Sequence, residues 1–251
     1  MENEKVKKYV KDRYGKIAKT NQSCCSSCGS SNQDISQIIG YSKKELDDIP
    51  EEAVLGLGCG NPVALAGLKQ GEVVLDLGSG AGIDVFLASR KVGASGKVIG
   101  VDMTKDMIKR SDALAKDRGY TNVEFRLGEI EALPIDYNSI DVVISNCVIN
   151  LCPDKKKAFS EIYRVLKKNG RLMISDIVTN GELPQEVKDS FDAWAGCIAG
   201  ALEKDNYLNL IRDVGFSEIK IVKEIPYTVD VSEDLKGKIL SISIEAHKLA
   251  V

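Results

Sequence analysis

The sequence predicts an α/β fold, a doubly wound, mostly parallel sheet with helices on both faces. Three observations carry this reading. Between residues 70 and 180, short apolar runs alternate with helix-patterned stretches. Each run is continuous rather than alternating in polarity, as strands covered on both faces require. The first run, VVLDL, leads into a glycine-rich turn that opens a helix, an arrangement that aims backbone N–H groups at a ligand.

The elements follow in order. Residues 5–19 have a helical pattern, with Val6, Tyr9, Val10 and Ile17 set among lysines. From Thr20 to Asp34 the composition turns to Asn, Gln, Ser, Cys and Gly, whose side chains compete for backbone hydrogen bonds and predict a loop. Over 42–57, Ser42 and Glu45 make a capping box ahead of Leu46 and Ile49, and Pro50 interrupts the helix. Glycines and Pro62 around Cys59 predict a tight turn and then a short apolar helix. Strands are expected at 73–78, 97–102, 122–128, 139–146 and 170–178, with helices at 83–93, 104–118 and 153–168 between them. Thr104 is the expected N-cap of the second helix. Pro153 fits the first turn of the third, which Asn169-Gly170 should close. Beyond residue 181 the stretch carrying Trp194 and Cys197 reads as mostly helical, and NYLNLIRDVG as a helix ending at Gly215. FSEIKIVKEI and ILSISIEAHK read as two closing strands at the sheet edge, with His247 on the surface. The chain thus divides into 1–69, 70–180 and 181–251.

Charged residues are 28% and the net charge is -3, so no strong field points to nucleic acid or an anionic membrane. The N-terminal stretch is charged throughout and lacks a signal-peptide core, and no apolar run reaches the ~18 residues of a membrane span. A cytoplasmic location is expected, where thiols stay reduced. Seven cysteines against one histidine, His247, therefore read as ligands, redox groups or buried fillers.

The loop Gly78-Ser79-Gly80-Ala81-Gly82 has neither the dinucleotide spacing nor a Walker lysine, and alone says little. Two carboxylates add to it. Asp76 lies inside an apolar strand, where a charge needs a partner such as a ligand ammonium. Asp102, beside Met103, closes the next strand, where a carboxylate can accept bonds from ribose hydroxyls. In LGEIEALP, Glu129 is expected near an exocyclic amine and Ile130 on the ring, while Asn146 ends the fourth strand.

VVLDLGSGAGID, KVIGVD, LGEIEALP and SIDVVISN resemble the nucleoside-binding motifs of class I S-adenosylmethionine-dependent methyltransferases. The resemblance implies a Rossmann-like core over roughly 70–180. It also implies S-adenosylmethionine as methyl donor, with Asp76 and the loop on its methionine part and Asp102 on its ribose. LGLGCGNPVALA, ISNCVINLCPDK and AGCIAGALE further resemble segments of the arsenite S-adenosylmethionine methyltransferases. That resemblance makes Cys59, Cys147 and Cys197 the ligands of trivalent arsenic, as arsenite or methylated arsenicals. It makes one or more of Cys24, Cys25 and Cys28 a redox cysteine served by glutathione or thioredoxin.

The chemistry agrees. Trivalent arsenic is soft, takes three thiolates and keeps a lone pair. That lone pair carries no proton, so no general base is required and the scarcity of histidine is expected. A nearby sulfonium charge is expected to favour thiolates. Two other functions fit the same core: a carbon or oxygen methyltransferase of the quinone-biosynthesis type, and a non-catalytic metalloid- or thiol-sensing protein. Cys25-Ser-Ser-Cys28 alone also resembles half a zinc site, but no second pair lies nearby. Cys152 reads as a packing residue, and Phe191 and Trp194 as acceptor-pocket or core aromatics.

Overall fold

The computed structural model describes residues 3–20, 31–227 and 235–249. Helix α1 spans Asn3–Thr20. Helices α2 (Asn32–Ile39) and α3 (Lys43–Asp47) each begin with a capping box, Ser31 with Asp34 and Ser42 with Glu45. Pro50 follows and starts a single 3-10 turn at Glu51–Ala53. Helix α4 (Pro62–Leu65) is capped by Asn61, whose side chain accepts from the Ala64 N–H.

The alternating core then runs β1 (Val73–Leu77), α5 (Ile83–Val92), β2 (Lys97–Asp102), α6 (Lys105–Asp117), β3 (Val123–Leu127), β4 (Ile140–Asn146), α7 (Lys155–Val165) and β5 (Leu166–Thr179). It closes with α8 (Gln185–Lys188), α9 (Phe191–Ala195), α10 (Lys204–Val214), β6 (Ser217–Pro226) and β7 (Ile239–Lys248). The seven strands make one sheet in the order β3-β2-β1-β4-β5-β7-β6. The first five are parallel, and β7 runs antiparallel to both β5 and β6.

Strand alternation divides the core between the two faces. Leu75 and Leu77 of β1 pack with Phe159 and Ile162 of α7 and Tyr207 and Ile211 of α10. Val74, on the opposite face, packs with Val85, Phe86 and Val92 of α5. The strand order reverses at β1, with β2 on one side and β4 on the other. Such a switch point opens a crevice beyond the carboxyl ends of the strands, where doubly wound sheets bind ligands.

Four expectations are corrected. The helix expected over 153–168 ends at Val165. Leu166 is fully buried and already pairs with Ile140, so the chain turns into β5 before Asn169-Gly170. Thr104 sits at the N-cap of α6, but its side chain makes no capping bond; its backbone N–H instead donates to Asp102. The stretch around Cys197 is two short helices and a turn, since Cys197 itself has a left-handed φ of 65°. His247 is not on an edge strand: β7 lies between β5 and β6, and its ring faces Glu245 at 3.1 Å.

Candidate active site

A cavity of about 620 Å³ opens beyond the carboxyl ends of β1, β2 and β4. Asp76, Gly78, Ser79, Gly80, Asp102, Met103 and Ile130 line one part of it, and Asn146, Cys147 and Cys197 another. Helix α1 covers it through Lys7, Val10 and Tyr14. This helix is tied to both sides, by Lys7 to Glu129 (2.7 Å) and Glu131 (2.8 Å), and by Tyr9 Oη to Asp192 (2.6 Å).

The glycine loop is shaped from β2. The N–H groups of Gly78 and Ser79 both donate to the Val101 carbonyl, at 2.7 and 3.1 Å. The Asp102 carboxylate accepts from the Gly80 N–H (3.0 Å) and the Thr104 N–H (2.7 Å). Gly78 has φ +64°, and a Cβ there would lie 2.2 Å from Val148, whereas a Cβ at Gly80 would meet nothing within 4 Å. The loop is therefore packed from behind at Gly78 and open at Gly80. Gly82 caps α5 but does not line the cavity.

Asp76 is 2% exposed. Burial drives its carboxyl well above the usual range, reinforced by repulsion from Asp84 and Asp102. Among the described residues no hydrogen-bond donor reaches it. Asp84, also buried and raised to about 7 by desolvation, is held by the Tyr41 hydroxyl at 2.9 Å. The unpartnered Asp76 carboxylate thus faces a cavity that asks for a cation.

Three distant segments carry the thiols to one place. Cys147 directly follows β4 with a left-handed φ of 61°, and its N–H donates to Ser175 of β5 (2.7 Å). Asn146 organises the Cys59 turn: its Oδ1 accepts from the Cys59 N–H (2.9 Å), while its Nδ2 donates to Gly60 (2.7 Å) and Tyr41 Oη (2.8 Å). A Cβ at Gly58 or Gly60 would run into Asn146 at 2.7 Å or Ser175 at 2.6 Å, which fixes both glycines. Ser241 of β7 donates to the Cys59 carbonyl (2.7 Å). Cys197 follows α9, and its thiol donates to the Cys147 carbonyl (2.7 Å). All three cysteines are buried in one cluster with Leu151, Ile177 and Ala195. Two of them hold left-handed backbone that β-carbon-bearing residues rarely adopt, a strain typical of functional positions.

Burial raises the Cys59 and Cys147 thiols rather than lowering them. Desolvation pushes Cys59 up to about 11 and Cys147 well above the ordinary thiol value. The thiolate-favouring environment expected at these positions is therefore not a property of the protein groups alone.

Two acids escaped sequence reasoning. Asp176, on β5, is fully buried, and a carboxylate oxygen of it lies within 4.8 Å of both the Cys59 and Cys147 sulfurs. The signal was available, because Asp176 is an acid inside an apolar run just as Asp76 is. Glu131 lines the cavity and is buried, whereas Glu129 is turned to Lys7 with its side chain 49% exposed and does not line it. The EIE segment predicts the first glutamate at the adenine side; the bridge of Glu129 to Ala132 instead makes a tight turn that carries the second inward. Phe191 stacks on Tyr9 (5.3 Å) and Trp194 lies under Lys155 (5.4 Å), so both support the site from outside the cavity. Cys152 is buried, and besides packing in the core it touches the cavity wall. Cys24, Cys25 and Cys28 lie outside the described residues.

The comparisons with known proteins follow this geometry. A family model described as a methyltransferase domain matches residues 68–215. An arsenite methyltransferase of Halobacterium salinarum is 40% identical over 264 residues, covering 98% of this chain and 68% of that protein. A demethylmenaquinone methyltransferase of Lactococcus lactis is also 40% identical, but over only 100 residues, 40% of this chain and 40% of that protein. An arsenic(III) S-adenosylmethionine methyltransferase from Chlamydomonas reinhardtii superposes with a TM-score of 0.68 at 33% identity, covering 86% of this chain and 73% of that structure. The chain spans 62–68% of the length of the arsenite methyltransferases it matches. With near-full coverage of this chain by those relatives and only partial coverage by the quinone-type enzyme, the chain belongs to the arsenite methyltransferase family.

Proposed function

We propose that this chain transfers methyl groups from S-adenosylmethionine to trivalent arsenic held by Cys59, Cys147 and Cys197. The observation that carries the reading is that Cys147 and Cys197 line the cavity that also holds Asp76 and the glycine loop, while Cys59, from a third distant segment, is buried in one cluster with them. The cofactor fits this chain on its own chemistry. Asp76 is a buried carboxyl with no donor among the described residues, and a ligand ammonium would supply one and favour its charged form. Asp102 would take the ribose, and Ile130 with Glu131 the adenine. Bound there, S-adenosylmethionine supplies an electrophilic sulfonium methyl.

The substrate arrives as neutral arsenous acid or its methylated form. Each thiol proton leaves with an arsenic hydroxyl as water, so raised thiol values do not block binding and no base is needed. Arsenous acid, with three hydroxyls, is then held by three sulfurs and its methylated form, with two, by two of them; the lone pair stays free in both, and the rate comes from positioning it. Asn146 sets the Cys59 turn, and the Cys147 backbone is fixed on β5. Methyl transfer leaves a positively charged, pentavalent methylarsenic on the sulfurs. A thiol of Cys24, Cys25 or Cys28 then attacks the Cys59 sulfur, and the Cys59–arsenic bond breaks with its electron pair returning to arsenic(III) as the lone pair. A proton is released, and glutathione or thioredoxin reduces the resulting disulfide. Replacing all three without effect on arsenite turnover sinks that part. No helix among the described residues is long and apolar enough to cross a membrane, in keeping with a cytoplasmic enzyme.

Product speciation after incubation with arsenite, S-adenosylmethionine and thiol tests the whole reading; methylated arsenic is expected, and its absence overturns it. Trp194, the one tryptophan of the chain, packs in the cysteine cluster and reports binding by fluorescence. Cys59→Ser, Cys147→Ser and Cys197→Ser are each expected to weaken the arsenite response by at least ~10-fold, since one soft ligand of three is lost.

A further inference from the structure

We propose that Cys59, Cys147 and Asp176 form a site for a thiophilic divalent cation of the zinc class, which takes the place of arsenic(III) and blocks the acceptor position. The arsenic reading uses three thiols and gives Asp176 no task. The described residues nevertheless group Asp176, not Cys197, with the other two sulfurs: their three ligand atoms lie within 4.8 Å of one another. The Cys197 thiol is turned to the Cys147 carbonyl. Tetrahedral zinc, with bonds of about 2.0–2.3 Å, holds such atoms roughly 3.5–3.8 Å apart, so closure takes about 1 Å of side-chain movement.

Asp176 is built as a ligating carboxylate is. Tyr207 Oη donates to one oxygen (2.9 Å) and the Ile177 N–H to the other (2.9 Å), with the Asn150 backbone also donating to the carboxylate, which fixes its direction and leaves one lone pair for a ligand. Charge points to a divalent ion. Two thiolates and a carboxylate carry three negative charges, and the buried Lys155 ammonium nearby offsets one. A doubly charged cation brings the buried cluster to neutrality, the condition under which burial of charge is tolerable. With arsenic on three thiolates, Asp176 and Lys155 already balance. Zinc accepts both sulfur and carboxylate oxygen, whereas soft arsenic selects sulfur, so the carboxylate separates the two. Binding releases the Cys59 and Cys147 protons to the buffer and changes no oxidation state.

The test uses the full chain with Cys24→Ser, Cys25→Ser and Cys28→Ser, so that those thiols do not compete. Zinc(II) is titrated by calorimetry, its shell is read by zinc X-ray absorption, and arsenite is followed by Trp194 fluorescence on the same samples. One zinc per chain, a shell mixing sulfur with carboxylate oxygen, and competition with arsenite are expected. Asp176→Asn should lower zinc affinity by about 10–100-fold and arsenite affinity far less. An all-sulfur shell overturns the proposal whether or not the variant folds. So does absent zinc binding, or an equal loss of zinc and arsenite affinity in Asp176→Asn, which would make Asp176 a support of the fold. Zinc bound in a mixed shell without any arsenite binding would instead sink the arsenic reading and leave this one standing.

Discussion

Asp76 and Asn146 show how single residues set the site. Asp76 is buried with no donor among the described residues, so its charge is useful only when a cationic ligand is present. Asp76→Asn keeps the shape and removes the charge. S-adenosylmethionine affinity by calorimetry is expected to fall at least ~10-fold, because a buried charge pair is lost; an unchanged affinity would remove Asp76 from the cofactor site. Asn146 bonds to the Cys59 N–H, the Gly60 carbonyl and the Tyr41 hydroxyl. Asn146→Ala orphans these groups at ~1–3 kcal/mol each, to be read by urea unfolding, and loosens arsenite binding with it. Asp76 was legible in the sequence as an acid in an apolar strand. The bonds of Asn146 were not, because its partners lie 86, 87 and 105 positions away.

At the scale of elements, local signals marked what local physics decides. The capping box at Ser42 and Glu45 forms as its spacing predicts, and Pro50 ends the segment. Ser42→Ala is expected to cost ~1 kcal/mol in chemical denaturation while leaving cofactor affinity untouched. The stretch between β5 and α10 reads as mostly helical by composition yet folds as two short helices broken by turns, because packing overrides propensity there. Gly200 shows the constraint: a Cβ would lie 2.0 Å from the Asn150 carbonyl and 2.7 Å from Trp194. Gly200→Ala should therefore displace the Cys197 turn and weaken arsenite binding more than it lowers thermal stability, and the reverse order would count against this account.

Across the whole molecule, buried carboxyls dominate the acid response. Asp84 is raised to about 7 and Asp176 to about 6, with Asp76 raised as well, all chiefly by desolvation. An unfolded aspartate titrates near ~3.9. Between these values the folded state binds more protons than the unfolded chain, so stability falls as pH rises through the window. Carboxyls that are instead lowered, such as Glu124 at about 2 with its Arg126 and Lys97 partners, change protonation only below it. The ligand-free protein is expected to melt higher near about pH 5.5 than near about pH 8, and saturating S-adenosylmethionine should narrow the difference by pairing Asp76. A midpoint that rises with pH across this range would contradict these burial assignments.

The alternation of apolar runs and helical stretches determined the strands and helices of the core, since both periodicities are local. The glycine loop with Asp76 and Asp102 marked the cofactor end for the same reason: they lie within about one strand–helix–strand unit. The resemblance of the segments around them to those of arsenite methyltransferases named Cys59, Cys147 and Cys197 as candidates. Only tertiary structure decided that they meet, because strand order, which is non-local, brings the β4 end, the Cys59 turn and the turn after α9 together. It also placed Asp176 beside two of the thiols, chose Glu131 over Glu129, and put β7 inside the sheet rather than at its edge. Apart from Glu131, which a local turn carries inward, the deciding contacts join segments far apart in the chain, a relation that neither periodicity nor motif spacing encodes.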